Sequence, residues 1–142
     1  MKIYFACAIA GGRDHAHFYP EFVTHLKNHG QVLTEIFSNN DIFELDAKLN
    51  DQDILHRDLK WLNESDIIVA EVSTPSLGVG FEIATALNKG KKVLCLFKNQ
   101  KGRKLSAMIA GNRDIHIIRY NDIDEVKQKI DDFFSLFTRS LH

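Results

Sequence analysis

Three short segments carry side chains whose types and spacing can do chemistry. The first is Gly11-Gly12-Arg13, placed directly after an apolar run. Paired glycines let the backbone turn N–H groups toward an anion, and a helix starting there adds its dipole. A plain tight turn into a helix fits the same residues. The second is Pro75-Ser76-Leu77-Gly78-Val79-Gly80-Phe81-Glu82. Gly78 and Gly80 permit close backbone approach of a ligand, and Ser76 can donate to a phosphate or sugar oxygen. Glu82 falls near the first turn of the following helix, where the helix dipole alone would favour an acid. The glycine spacing lacks the G-x-x-G half of a dinucleotide fingerprint, so no dinucleotide follows from it. The third is His56-Arg57-Asp58-Leu59-Lys60-Trp61-Leu62. Asp58 shares helical register with Leu55 and Leu62, so it borders an apolar stripe. An acid there needs a partner or a task; Arg57 or Lys60 can serve as partner.

These segments need a frame, and the pattern supplies one. Apolar runs of strand length stand at 2–9, 31–36, 66–72, 92–97 and 115–119. The middle three are rich in Val, Ile, Leu and Phe with little alternation, as in strands covered on both faces of a parallel sheet. Helical spacing fills the gaps. Phe18, Phe22 and Leu26 lead to a stop near Gly30, with Pro20 at or near the start. Ile54, Leu55, Leu59 and Leu62 form a second stripe, and Phe81–Leu87 a third helix after the glycine turn. Ile123, Val126, Ile130 and Phe134 give the last. Alternating β and α segments predict an α/β fold: one doubly wound domain over 1–142 with a five-stranded parallel sheet. Ligands then bind beyond the carboxyl ends of the strands, where the three segments fall. Residues 37–50, with Asn-Asn-Asp turn chemistry, are expected to form a mobile loop, and 98–104 a basic surface loop.

Composition narrows the classes. The chain has 142 residues with 18 basic and 19 acidic side chains and a formal net charge of −1. That balance gives no basic groove for a nucleic-acid polymer, though a small anion can still find a cationic spot. Cys7 and Cys95 sit inside apolar runs and read as buried core residues, without a disulfide framework or a zinc motif. A reducing, cytoplasmic compartment is expected. MKIYFACAIA reads as a strand and not as a secretory leader, and no apolar stretch approaches membrane-spanning length. His15 and His17, and His25 and His29, read as solvated helix faces, so no metal or cofactor is expected.

Taken together, IYFACAIAGGR at 3–13, VLTE at 32–35, RDLKWLNESDIIVAEVSTPSLGVGFE at 57–82, VLCLF at 93–97 and LSAMI at 105–109 resemble the nucleoside 2-deoxyribosyltransferase superfamily. The resemblance is closest to its 2′-deoxynucleoside 5′-monophosphate N-glycosidase branch. It implies a flavodoxin-like fold, a homodimer and a small-molecule nucleotide or nucleoside as partner. By the same resemblance Glu82 matches the nucleophile, and Asp58 the second acid that helps the base depart and positions the sugar. Tyr4 matches a strand-one tyrosine near the nucleophile. Ser76 and Ser106 match phosphate-binding serines, Ser106 reaching the site of the neighbouring subunit. Gly11, Gly12, Arg13, Gly78 and Gly80 complete the expected substrate contacts. The chain departs from the branch at Ala8 and Ala10, where a Ser and an Arg are usual. Ser76 stands where the transferase branch usually has Asp, which favours a phosphorylated substrate.

The implied reaction is cleavage of the C1′–N bond through a covalent glycosyl-enzyme on Glu82. Retaining enzymes of this kind set two carboxyls about 5–5.5 Å apart. Two other readings stand beside it: a transferase that exchanges bases between deoxynucleosides, and a nucleotide sensor without chemistry. A sensor has no use for two acids beside the sugar.

Overall fold

The computed structural model describes residues 1–9 and 12–141. Ala10, Gly11 and His142 lie outside the described residues. Five strands, β1 (Lys2–Ala6), β2 (Gln31–Val32), β3 (Ile67–Glu71), β4 (Lys92–Lys98) and β5 (Ile115–Tyr120), form an all-parallel sheet in the order β2-β1-β3-β4-β5. β3 is buried at every position and β4 over its five central ones, which explains their unbroken apolar runs: helices cover both faces. β5, at the edge, is exposed at His116 and Arg119.

The helices are α1 (Tyr19–Leu26), α2 (Asp41–Ala47), α3 (Asp51–Glu64), α4 (Leu77–Asn88), α5 (Ala107–Ala110) and α6 (Ile123–Ser140). Right-handed crossovers in this strand order put α1 on one face and α3, α4 and α5 on the other. α6 joins α1, as the bond between His25 and Asp131 records. Alternation along β1 follows suit. Phe5 packs against Tyr19 and Phe22 of α1, while Tyr4 points the other way, edge-on to Phe37. The strand order reverses between β1 and β3, which opens the crevice where ligands bind in such sheets.

Several expectations change. The strand expected over 31–36 pairs only at Gln31–Val32. The Thr34 hydroxyl then takes over from the backbone, accepting from Phe5 N–H at 2.8 Å and donating to Phe5 C=O at 2.7 Å. The chain next tightens into a 3₁₀ turn at Glu35–Ser38. The loop expected over 37–50 contains α2, anchored by fully buried Ile42 and started by Asp41 and Glu44 in its first turn. α4 begins at Leu77, not at Phe81, because Ser76 caps it by accepting from Val79 N–H at 3.3 Å. Gly78 and Gly80 are therefore helical. His25 and His29 do not lie on a solvated face: both are partly buried and bond to Asp131 of α6. No helix among the described residues is long and apolar enough to cross a membrane.

Candidate active site

α3 starts with a capping box in which Asn50 accepts from Asp53 N–H and Asp53 reaches back to Asn50 N–H. That fixed start sets the helix rotation, and two turns on Arg57 and Asp58 face the sheet's carboxyl end. The Arg57 guanidinium donates through Nε to Asp58 Oδ1 at 2.9 Å and through Nη1 to Asp46 Oδ1 of α2 at 2.7 Å. It lies over the rings of Phe37 and Trp61, at 5.6 and 5.3 Å from their centroids. Of the two partners open to Asp58, the fold therefore selects Arg57; Lys60 is exposed. Arg57 is one of the two partners the sequence offers Asp58; Asp46 and Phe37, which hold the guanidinium from α2 and the turn before it, leave no such local signal.

Glu82 stands on the second turn of α4 and lines, with Asp58, a cavity of about 200 Å³ walled by Leu55, Leu59, Gly78 and Phe81. Its Oε2 is sealed from solvent and has no hydrogen-bond partner, and the same is true of the Tyr4 hydroxyl. The two groups still feel each other. The Tyr4 hydroxyl favours the Glu82 carboxylate, and Glu82 helps burial push the Tyr4 phenol up. The pair thus stops short of a closed hydrogen bond. Burial, and then repulsion from Asp58, push the Glu82 carboxyl up to about 8. Burial also raises Asp58, but its bond to Arg57 opposes the rise. Asp58 and Glu82 thus share one cavity, with Asp51 also on its wall, and burial raises the carboxyls of Asp58 and Glu82.

The remaining candidates divide. Ser76, Gly80 and Ser106 line a neighbouring cavity of about 610 Å³ bounded by Leu77, Met108 and Ile109, which contains neither acid. The Ser76 hydroxyl accepts from Val79 N–H and keeps its own proton to donate. Ser106 precedes α5, and its exposed side chain makes no capping bond. Gly12 has φ +121°, a conformation that favours glycine, and an added Cβ would lie 3.7 Å from Thr74 Cγ2. Arg13 is held by the carbonyls of Ala8 at 3.5 Å and Phe37 at 3.2 Å, between the rings of Tyr19 and Phe43. Its Nε and the Thr74 Oγ1 are buried without partners among the described residues. The predicted contact at Gly11 falls outside the described residues.

Comparison with known proteins is consistent across the chain. A family model described as nucleoside 2-deoxyribosyltransferase matches residues 3–127. A 5-hydroxymethyl-dUMP N-hydrolase of Tetraodon nigroviridis is 45% identical over 139 residues, covering 95% of this chain and 98% of the relative. A protein of Trichoplax adhaerens named as a 2′-deoxynucleoside 5′-phosphate N-hydrolase is 46% identical, covering 95% and 94% respectively. The solved structure of a CMP N-glycosidase from Clostridium botulinum shares the fold, with a TM-score of 0.67 over 92% of this chain and 99% of that one at 20% identity.

Proposed function

The chain belongs to the nucleoside 2-deoxyribosyltransferase family, and from that premise we propose that it hydrolyses the N-glycosidic bond of 2′-deoxynucleoside 5′-monophosphates. The products are the free base and deoxyribose 5-phosphate. The observation that carries this reading is the buried, unpartnered Glu82 Oε2, facing the Tyr4 hydroxyl in a cavity it shares with Asp58. Leaving such a group unpaired costs stability, and a nucleophile aimed at C1′ explains why it is left so.

The steps follow from the residues. Glu82 attacks C1′ as carboxylate and forms a covalent glycosyl-enzyme. Asp58 delivers a proton to the departing base, directly or through water. In the free protein burial and the charge of Asp58 raise the Glu82 carboxyl to about 8, so Glu82 holds a proton at neutral pH. Substrate binding has to move it toward Asp58 before attack; positive charge developing on the sugar favours that transfer. Arg57, tied to Asp46, fixes the Asp58 carboxyl. Water resolves the intermediate. Ser76, the free N–H groups opening α4, Arg13 and Gly12 are the proposed phosphate contacts.

The assembly we propose is a homodimer. Leu77 is 97% exposed and Met108 83%, with Phe81 and Leu55 also exposed. These apolar side chains lie on α3, α4 and α5, all on one side of the sheet. A second copy would cover them and carry Ser106 to its neighbour's site. Mixing Glu82→Gln with Ser106→Ala tests this: mixed dimers restore part of the activity that each variant lacks. A monomer by light scattering with full activity would refute it.

The decisive assay offers deoxynucleoside 5′-monophosphates, 5-hydroxymethyl-dUMP first, and the matching nucleosides, with and without a free acceptor base. Chromatography reads released or exchanged base. Release from the monophosphates alone is expected. Equal kcat/KM for nucleotide and nucleoside would overturn the phosphate assignment, and base exchange would move the chain to the transferases.

A further inference from the structure

We propose that His25, His29 and Asp131 form a binding site for a divalent transition-metal ion of the zinc type, on the face of the sheet opposite the two catalytic acids. His25 lies in the last turn of α1, His29 in the turn after it, and Asp131 on α6. The two Nε2 atoms each lie 2.7 Å from one oxygen, Asp131 Oδ1. Among the described residues this is the group of three such side chains whose ligand atoms all lie within 4.8 Å of one another. Two imidazole nitrogens and a carboxylate oxygen are a donor set that zinc accepts, with water in the fourth position.

The rings are held in place before any ion arrives. The His29 ring stacks on Phe134, with centroids 4.5 Å apart and planes 9° from parallel. His25 meets His29 edge-on at 5.8 Å, and the Lys127 carbonyl, 3.1 Å from His25 Nε2, adds an acceptor on the same side. The histidine side chains are only 15% and 20% exposed, while Asp131 at 42% leaves a way in for the ion and its water.

The chemistry needs little movement. In the hydrogen-bonded form each Nε2–H points at the carboxylate oxygen. Metal–ligand bonds of about 2.0–2.2 Å in tetrahedral array put the ligand atoms roughly 3.3 Å apart. Drawing together ligand atoms that already lie within 4.8 Å of one another, with the imidazole protons moved to Nδ1, replaces two protons at one focus by one cation. The ion would then tie the end of α1 to the middle of α6, elements otherwise joined at the surface by the Lys127–Glu21 pair.

Zinc chloride titrated into the chelator-treated full chain tests the site. The expected result is one zinc per chain and a rise in the thermal midpoint. His25→Gln and His29→Gln keep an amide N–H for Asp131 and so preserve the link between the helices, but remove the imidazole ligands. Their double variant is expected to stay folded, retain base release and lose zinc binding by more than the roughly 10–100-fold that follows loss of an outer hydrogen-bonding partner. Zinc binding by the double variant equal to wild type would overturn the proposal. So would a wild-type chain that takes up no zinc and shows no thermal shift.

Discussion

The sheet carries a tyrosine–glutamate pair on each face, and the two are built differently. On the α1–α6 side, the Tyr120 hydroxyl donates to Glu71 Oε2 at 2.6 Å, and Ser73 N–H donates to Glu71 Oε1 at 2.6 Å. On the α3–α4 side, Tyr4 and Glu82 lie side by side without closing a hydrogen bond, and Glu82 Oε2 is buried alone. Both glutamates sit near the carboxyl end of the sheet, and burial raises the carboxyl of each. Glu71 has both oxygens matched and is part of the core; Glu82 keeps an acceptor free. Complete satisfaction fits an acid that serves the fold, and the vacancy at Glu82 is the acceptor that the proposed reaction would use.

Exchanging each carboxyl for an amide breaks the comparison most directly. Glu82→Gln is expected to lower base release by several orders of magnitude, as loss of a covalent nucleophile does, while the chain stays folded. It should also raise the thermal midpoint near pH 7.5. Between the ordinary 4.5 and about 8 the folded state holds a proton on Glu82 that the unfolded state has lost, so wild-type stability falls as pH rises through that window. The variant escapes this loss, and its advantage should vanish toward pH 4.5. Glu71→Gln should do the reverse. An amide offers one acceptor where two donors wait, so stability drops by about 1–3 kcal/mol while most activity survives. Thermal melts across pH and chromatographic base release read both; an active Glu82→Gln would sink the assignment.

Asp58 comes next in size. Asp58→Asn removes the proton donor and is expected to cost roughly 10²–10⁴-fold in kcat. Arg57→Lys keeps a charge but loses the fork that joins Asp58 to Asp46. It should cost less, and more in kcat than in KM, because Arg57 acts through Asp58. Steady-state kinetics with the preferred nucleotide separates the two.

The unequal legibility of these regions has physical causes. β3 and β4 could be read because strands buried on both faces leave unbroken apolar runs. Glu71 was hidden for the same reason, as one polar letter inside DIIVAEV whose partner Tyr120 lies 49 residues away. α2 left no stripe because one residue, Ile42, anchors it. The short β2 could not be foreseen, since a threonine side chain and not the backbone ends the ladder. The pairing of His25 and His29 with Asp131 spans over 100 residues, beyond any local periodicity. Glu82 and Asp58 were legible as candidates from their neighbours, but only the fold brings them into one cavity.

A smaller effect sharpens the contrast through pH. Attack needs Glu82 ionised, so kcat/KM should rise with pH toward the free protein's value of about 8. Tyr4→Phe removes a group that favours the carboxylate, so the rising limb should move to higher pH. Asp58→Asn removes a like charge, so its residual activity should show the limb moved lower. Opposite displacements identify Glu82 as the titrating group; displacements of the same sign would assign the limb elsewhere, and the apparent values belong to the pair.

The smallest effect concerns glycines, which divide along the same line as the glutamates. A Cβ on Gly30 would meet the Met1 carbonyl oxygen at 2.4 Å, so the fold itself requires that glycine. A Cβ on Gly80 would meet nothing within 4 Å, and one on Gly78 only Ser76 Oγ at an ordinary 3.8 Å. Both stand in α4, where glycine costs roughly 0.8–1.0 kcal/mol relative to alanine. No contact among the described residues offsets that cost, and the proposed function gives the bare backbone a use in close approach of a substrate or a second copy. Gly78 borders the cavity of the two acids, and Gly80 the one lined by Ser76 and Ser106. Gly80→Ala should therefore stabilise the isolated chain by up to about 1 kcal/mol while raising KM for the nucleotide or weakening self-association. Denaturant unfolding measured beside kinetics and light scattering separates these outcomes. Gain in stability with unchanged KM and assembly would show that Gly80, unlike Glu82, is a vacancy without a use.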